Sequence, residues 1–317
     1  MTENVIKING TTIEPGERTK VKLSVGTLPS GTKIYIESHV FRAQAPGPCA
    51  LIVGGVHGDE INGIQIVRKA LENRVFENLE SGSVIAIPLL NVYGFINFSR
   101  DLPDGKDVNR SFPGSSKGSL AARVARAMTK EILPNADYLL DFHTGGASRY
   151  NYPQVRYTST DDEAMKLAEA FAPPVILQKP LIPKSFRKLA SELGIPTLVF
   201  EGGEAVRIEG FSIDTGLAGM MRVLKYLDII TDAPDSQFVP QNFKKSSWVR
   251  SPKAGLFIWT QQSGISVRKG EPIGIIKDPQ GDWSFKVLAP RSGFIVGHSN
   301  ASVVHVGDAL FHFAYND

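Results

Sequence analysis

The sequence predicts an α/β fold, in which a mostly parallel mixed sheet with flanking helices is followed by a smaller all-β domain. Between residues 47 and 231, apolar strand-like runs alternate with helical patterns, as in chains that form parallel sheets. Beyond this zone the helical pattern stops, and short strand-like runs continue to the end of the chain. A further group of short strand-like runs, separated by Asn-Gly and Pro-Gly turn signals, precedes the α/β zone.

Composition divides the chain into three predicted regions, namely a β-rich N-terminal segment, an α/β domain and a C-terminal β domain, at residues 1–46, 47–235 and 246–317. The stretch 232–247 is predicted as a linker because proline and polar residues dominate it. The C-terminal domain contains a degenerate repeat, in which residues 254–276 align with residues 292–313. Two such copies can interlock into a small flattened barrel.

The α/β domain is predicted to contain strands that are buried on both faces, since their apolar runs are nearly continuous. These strands cover residues 50–56, 83–90, 138–142 and 197–200. Helices are predicted where apolar residues recur at spacings of three and four, at residues 61–73, 120–132, 163–172, 185–193 and 217–227. The proline-rich stretch 172–183 is predicted as a surface loop.

Charge and cysteine content exclude several classes of protein. Lys and Arg number 35 and Asp and Glu 32, so the net charge is +3, and no basic block indicates nucleic-acid binding. No apolar run approaches the ~18 residues of a membrane span, and no secretory signal is visible, so we expect a cytoplasmic protein. With Cys49 alone, a metal site requires histidines and carboxylates.

The segment after the first predicted strand contains a candidate pair of metal ligands. Gly54 and Gly55 allow a tight turn, after which His57 and Glu60 lie three residues apart at the start of a helix. An imidazole nitrogen and a carboxylate oxygen are suitable ligands for zinc. The alternative is a glycine turn in which Asp59 and Glu60 only favour the helix N-terminus.

A second histidine follows another predicted strand. His143 comes directly after the run 138–142, and Asp141, two residues earlier, points to the same side and can orient the imidazole. Taken alone, His143 is more typical of a hydrogen-bonded histidine at a strand terminus. Because the carboxyl ends of parallel strands meet at one edge of the sheet, its combination with His57 and Glu60 favours a zinc site.

Glu201 follows the last predicted strand and precedes two glycines. A carboxylate at this edge can serve as the general base for a metal-activated water. Glu204 is the competing candidate, and the alternative for either residue is a loop carboxylate that caps the next segment.

The long stretch 92–114 contains Arg100, Asn109 and Arg110. Loops of this length within a compact domain are usually either functional or disordered. An arginine offers a pair of donors to a carboxylate or a developing oxyanion. The alternative is that these arginines are solvated and paired with Asp101 or Asp107.

Together these segments resemble the succinylglutamate desuccinylase/aspartoacylase family, which is part of the zinc carboxypeptidase-like superfamily. The matching pieces are GGVHGDE at 54–60, DVNRSFPG at 107–114, DFHTG at 141–145 and the glutamate after PTLVF. Their order and placement agree over residues 45–230. The resemblance implies a zinc carboxypeptidase-like fold and a zinc hydrolase catalytic domain at residues 47–235.

By this resemblance, His57, Glu60 and His143 would bind one zinc ion per chain. Glu201 would activate the water and later pass a proton to the leaving amine, and Arg100 would stabilise the tetrahedral oxyanion.

The same resemblance assigns substrate contacts. Asn109 and Arg110 would hold a substrate carboxylate. The family often adds a tyrosine from elsewhere, for which Tyr150 and Tyr152 are the candidates.

The C-terminal repeat is similar to the barrel-sandwich domain of biotinyl and lipoyl carriers. Lys277 lies near the position of their modified lysine, but the flanking methionines are absent, so no attached cofactor is expected. A gating or substrate-restricting role is expected instead.

The resemblance predicts a zinc-dependent deacylase that hydrolyses a small anionic N-acyl amino acid of the succinylglutamate, N-acetylaspartate or N-acetyl-diaminobutyrate type. The alternatives are a metallocarboxypeptidase that acts on peptides and a non-catalytic binding protein on a hydrolase scaffold. No nucleic acid or membrane is expected as a partner, and a homo-oligomer is compatible with the sequence.

Overall fold

The structure, a computed structural model, describes residues 5–28 and 30–316. Residues 1–4, 29 and 317 of the predicted terminal regions lie outside the described residues. The strands are β1 (Ile6–Ile8), β2 (Thr11–Ile13), β3 (Arg18–Thr27), β4 (Lys33–Arg42), β5 (Cys49–Gly54), β6 (Ser83–Ile87), β7 (Tyr138–Gly145), β8 (Arg149–Tyr157), β9 (Val175–Gln178), β10 (Thr197–Glu204), β11 (Gln241–Phe243), β12 (Lys245–Arg250), β13 (Gly255–Trp259), β14 (Ser266–Val267), β15 (Pro272–Lys277), β16 (Ser284–Leu288), β17 (Gly293–Ser299), β18 (Val303–Val304) and β19 (Ala309–Tyr315). The helices are α1 (Ile61–Glu72), α2 (Val92–Ile96), α3 (Leu120–Ala127), α4 (Asp162–Phe171), α5 (Phe186–Glu192) and α6 (Gly210–Tyr226).

A large mixed sheet forms the centre of the molecule and confirms the predicted α/β class. Its central strands β6, β5, β7 and β10 lie side by side and run parallel, so their carboxyl ends meet at one edge. Every residue of β5 is buried, as expected for a strand that is covered on both faces.

Helices cover both faces of this sheet. Because side chains alternate along a strand, Leu51 and Val53 of β5 belong to the core under α3 and α5, whereas Ala50 and Ile52 belong to the core under α1, α4 and α6. The sheet therefore separates two hydrophobic cores. Polar side chains lie where the carboxyl ends of the central strands meet. Among the described residues, no helix combines the length and apolar character needed to cross a membrane.

Four predicted elements differ from those of the structure. The stretch 172–183 is not simply a surface loop, because it contains β9, whose Val175, Ile176 and Leu177 are buried. Strands β7 and β10 continue beyond their apolar runs and include His143 and Glu201. The helix predicted at 217–227 begins earlier, at Gly210, since its first turns pack buried Ser212 and Ile213 rather than a regular apolar repeat.

The terminal regions extend the same sheet on both sides. On one side β4 pairs with β6 and with β3. On the other side β17 pairs with β8 and with β19, and β19 pairs with β12, whose start falls within the predicted linker. Strands β16, β15, β13 and β18 form a separate sheet that shares a third core with β17 and β19, around Phe257 and Phe311.

Candidate active site

The turn after β5 places His57 and Glu60 beside each other. The His57 Nδ1 atom lies 2.7 Å from Glu60 Oε1, and both side chains are buried. Gly58 is required here because a Cβ at this position would lie 2.0 Å from the backbone of α2, at Gly94. The close contact between this turn and α2 therefore determines where the histidine and the glutamate lie.

His143 completes the cluster from the neighbouring strand β7. Its Nδ1 atom lies 2.7 Å from Glu60 Oε2 and 3.2 Å from His57 Nδ1. Ligand atoms of His57, Glu60 and His143 all lie within 4.8 Å of one another. Two imidazole nitrogens and a carboxylate are a known ligand set of catalytic zinc sites, so the chemistry of these donors fits a zinc ion.

The outer nitrogens of both histidines are held by carboxylates, as is usual around metal sites. Asp141 Oδ2 lies 2.9 Å from His143 Nε2, where the sequence predicts an orienting group. Asp107 Oδ1 lies 3.2 Å from His57 Nε2 and was not predicted in this role. These two contacts turn the Nδ1 atoms of His57 and His143 towards Glu60.

Charges in the cluster stabilise one another. Burial raises the pKa of Glu60, but His57 and His143 outweigh this effect and hold it well below its ordinary value. Burial lowers the pKa of His143, yet Asp141 and Glu60 raise it well above the ordinary value. Glu60 is therefore ionised at neutral pH, as a carboxylate ligand of a metal ion must be.

Arg100 reaches the cluster from the long stretch after β6. Its Nη2 atom donates to Asp107 Oδ2 at 2.8 Å, and its Nη1 atom lies 3.3 Å from Glu60 Oε1. The predicted alternative, a pair with Asp107, is thus present, but the pair lies against the cluster rather than in solvent. The stretch is ordered by α2, where the Asn91 side chain accepts a hydrogen bond from the backbone nitrogen of Gly94.

Glu201 lies beside His143, because the two residues are register partners on the parallel strands β10 and β7. Arg156 Nη1 donates to Glu201 Oε1 at 2.7 Å, and Asn151 Nδ2 donates to Oε2 at 2.8 Å. Glu204, the competing candidate, is buried elsewhere and accepts a hydrogen bond from Asn300. Of the two glutamates, Glu201 is the one that lines the cavity described next.

A cavity of about 230 Å³ opens over the cluster. Asn109 and Arg110 line it, as do Arg100 and Glu201. Asn109 is fixed by its Oδ1 atom, which accepts a hydrogen bond from the backbone nitrogen of Phe186 at 2.8 Å. Tyr150 and Tyr152 are not among the described residues that line the cavity.

The sequence analysis missed several lining residues, namely Arg149, Asn151, Arg156, Ile182, Arg187 and Trp248. Polar and apolar residues alternate in RYNY and again in QVRY, on either side of Pro153, and this strand pattern was the available signal for the first three. Arg187 is 8% exposed, and its Nη1 atom has no hydrogen-bond partner among the described residues.

Residues 46–227 match the family described as the succinylglutamate desuccinylase/aspartoacylase catalytic domain. The match covers more than half of the chain, and it agrees with the mixed α/β sheet and the buried polar cluster in indicating a hydrolase. The chain belongs to the succinylglutamate desuccinylase/aspartoacylase family.

Individual relatives agree with this assignment. The chain is 30% identical over 290 residues to an N-alpha-acetyl-L-2,4-diaminobutyric acid deacetylase of Halomonas elongata, covering 84% of this chain and 82% of the relative. A succinylglutamate desuccinylase/aspartoacylase structure from Rhodobacter sphaeroides has a TM-score of 0.85 at 25% identity and covers 96% of this chain and 97% of its own. The product-bound ectoine utilization protein EutE (DoeB) of Ruegeria pomeroyi shares the fold, with a TM-score of 0.86, 23% identity and full coverage of both chains.

Proposed function

We propose that the protein is a zinc-dependent deacylase that hydrolyses the amide bond of a small N-acyl amino acid. The observation that carries this proposal is the convergence of His57, Glu60 and His143 within 4.8 Å, with Glu201 lining the same cavity. The three clustered residues would hold the ion. When bound, zinc would lower the pKa of a water to about 7 and polarise the acyl oxygen.

Glu201 is proposed as the general base. It takes a proton from the attacking water as the new carbon–oxygen bond forms, and passes this proton to the amine nitrogen as the carbon–nitrogen bond breaks. The hydrogen bonds from Asn151 and Arg156 hold the carboxylate in one orientation, which favours proton transfer along a fixed direction.

Arg100 is proposed to stabilise the negative charge that develops on the acyl oxygen. A preorganised cation is effective in this role because it does not reorganise during the reaction. Asp107 provides that preorganisation, since it binds the Arg100 guanidinium through both Nε and Nη2.

Asn109 and Arg110 are proposed to bind a carboxylate of the substrate, which lowers the entropic cost of aligning the amide bond. The Halomonas elongata relative is named for N-alpha-acetyl-L-2,4-diaminobutyric acid, so this compound heads the substrates to be tested. N-acetylaspartate and succinylglutamate follow.

Residues 246–317 are proposed as a barrel-sandwich domain that restricts the substrate. This is supported by Trp248, which belongs to this region and lines the cavity. A narrowed cavity favours small N-acyl amino acids over peptides.

The proposal is tested by metal analysis of the purified protein, followed by a panel of N-acyl amino acids and peptides read by release of amine. We expect about one zinc per chain, hydrolysis of at least one N-acyl amino acid, and loss of activity after chelation that added zinc reverses. Release of C-terminal residues from peptides in preference to hydrolysis of N-acyl amino acids would favour a carboxypeptidase. Zinc binding without hydrolysis of any compound would favour a non-catalytic protein.

A further inference from the structure

Trp248 forms part of the cavity wall although it lies outside the α/β domain. It is on β12, whereas the candidate ligands and Glu201 lie at the carboxyl ends of central strands. Ile182 and Val199 also line the cavity, so the wall is not uniformly charged. An apolar wall discriminates between substrates by its shape rather than by hydrogen bonds.

The indole of Trp248 is held by His312. The two residues are register partners on β12 and β19, and their rings stack with centroids 4.6 Å apart and an interplanar angle of 13°. Burial, with Arg156 and Lys179 nearby, lowers the pKa of His312 well below its ordinary value. The His312 ring is therefore neutral, and its Nε2 atom can accept a hydrogen bond from Lys179 Nζ at 3.4 Å.

Lys179 also contacts β12, the strand that contains Trp248. It follows β9 directly, and its ammonium donates a hydrogen bond to Ser246 Oγ, two residues before Trp248. The segment that carries the indole is thus tied to the α/β domain through Ser246 and through His312. A side chain fixed in this way loses little further freedom when a substrate binds.

We propose that Trp248 is a specificity-determining residue that limits the length of the substrate group lying against it, and that His312 and Lys179 position its indole. The inference rests on the proposed function, since it concerns which N-acyl amino acids the cavity accepts. The indole lines one side of a cavity of about 230 Å³, so a longer substrate group on that side would meet the ring. In apolar pockets one methylene group changes kcat/KM by about 10–200-fold.

The test compares Trp248→Ala with the wild-type protein on two substrate series. One series lengthens the acyl group from acetyl to butanoyl and hexanoyl, and the other lengthens the amino-acid side chain. We expect Trp248→Ala to raise kcat/KM for a longer member relative to the shortest by at least about tenfold in one series. Trp283→Ala is the matched control, because Trp283 lies in the same region but outside the cavity lining, and its ratios should not change.

Two variants of His312 test whether its stacked ring positions the indole of Trp248. His312→Leu should relax the length limit partly, whereas His312→Phe, which keeps a ring beneath the indole, should restore it. If Trp248→Ala does not fold, Trp248→Phe replaces it in the test, and we expect a smaller but measurable relaxation of the length limit.

Unchanged length profiles in folded Trp248→Ala and Trp248→Phe would overturn this inference while leaving the proposed function intact. Failure of the zinc-loaded wild-type protein to hydrolyse any N-acyl amino acid would overturn the proposed function itself.

Discussion

Replacing Glu201 by glutamine tests the proposed base with little change in shape. A general base contributes about 10²–10⁴-fold to a rate, which corresponds to about 3–5 kcal/mol of barrier. We therefore expect kcat of Glu201→Gln to fall at least 100-fold. Zinc content should stay unchanged, because Glu201 is not among the three clustered ligand candidates.

The effect of Glu201→Gln on the free energy of unfolding follows from the two hydrogen bonds that the Glu201 carboxylate accepts. A glutamine oxygen can still accept from Arg156, but its amide nitrogen then faces the Asn151 nitrogen, and two donors cannot bond each other. The loss of one hydrogen bond to a charged group lowers the free energy of unfolding by about 2 kcal/mol. Urea denaturation measures this change.

Glu204→Gln is the matched control, since Glu204 lies on the same strand and is buried but contacts Asn300 instead of the cavity. Its kcat should stay within about threefold of the wild-type value. The assay is steady-state amine release together with zinc analysis of each variant. Turnover above one tenth of wild type in zinc-loaded Glu201→Gln would refute the assignment, as would an equal loss in Glu204→Gln.

His57→Gln removes a candidate ligand and should abolish both bound zinc, measured by elemental analysis, and the rise in melting temperature that zinc gives the wild-type protein. Gly58→Ala should lower the free energy of unfolding by about 2 kcal/mol or more, measured in urea, whereas Gly210→Ala, where a Cβ has open space, should not. Burial lowers the pKa of His298 to about 4. The neutral ring therefore stabilises the fold above the pKa of about 6.5 that the histidine has in the unfolded chain, and this stability is lost as the pH falls towards 4. His298→Gln should flatten the decline in the free energy of unfolding with falling pH, and an unaltered pH dependence in this variant would contradict the prediction.

The positions of the candidate residues at one edge of the sheet were predictable because the determinants are local. His143 and Glu201 follow strongly apolar runs, and parallel strands bring such positions to one edge regardless of the rest of the fold. The contact between Asp141 and His143 follows from their two-residue spacing within one strand. In each case the sequence neighbourhood contains the information that determines the position.

Other parts of the site depend on contacts between distant segments. Asp107 reaches His57 only because the long stretch after β6 folds back over the turn, and Trp248 reaches the cavity only through pairing of β12 with β19. Strand β9 was missed because prolines flank a short apolar run that pairs with β8 and β11. No local pattern specifies such partners.

The pairing of β8 with β17 predicts what happens to the protein when its C-terminal strands are removed. β17 pairs with β8 at Gly297 and Asn151, and Asn151 also binds Glu201. A truncated protein that ended before β12 would expose unpaired backbone groups along this part of β8, and exposed strand edges promote aggregation. The C-terminal strands cover this edge of the central sheet, and we expect the α/β region expressed alone to be poorly soluble.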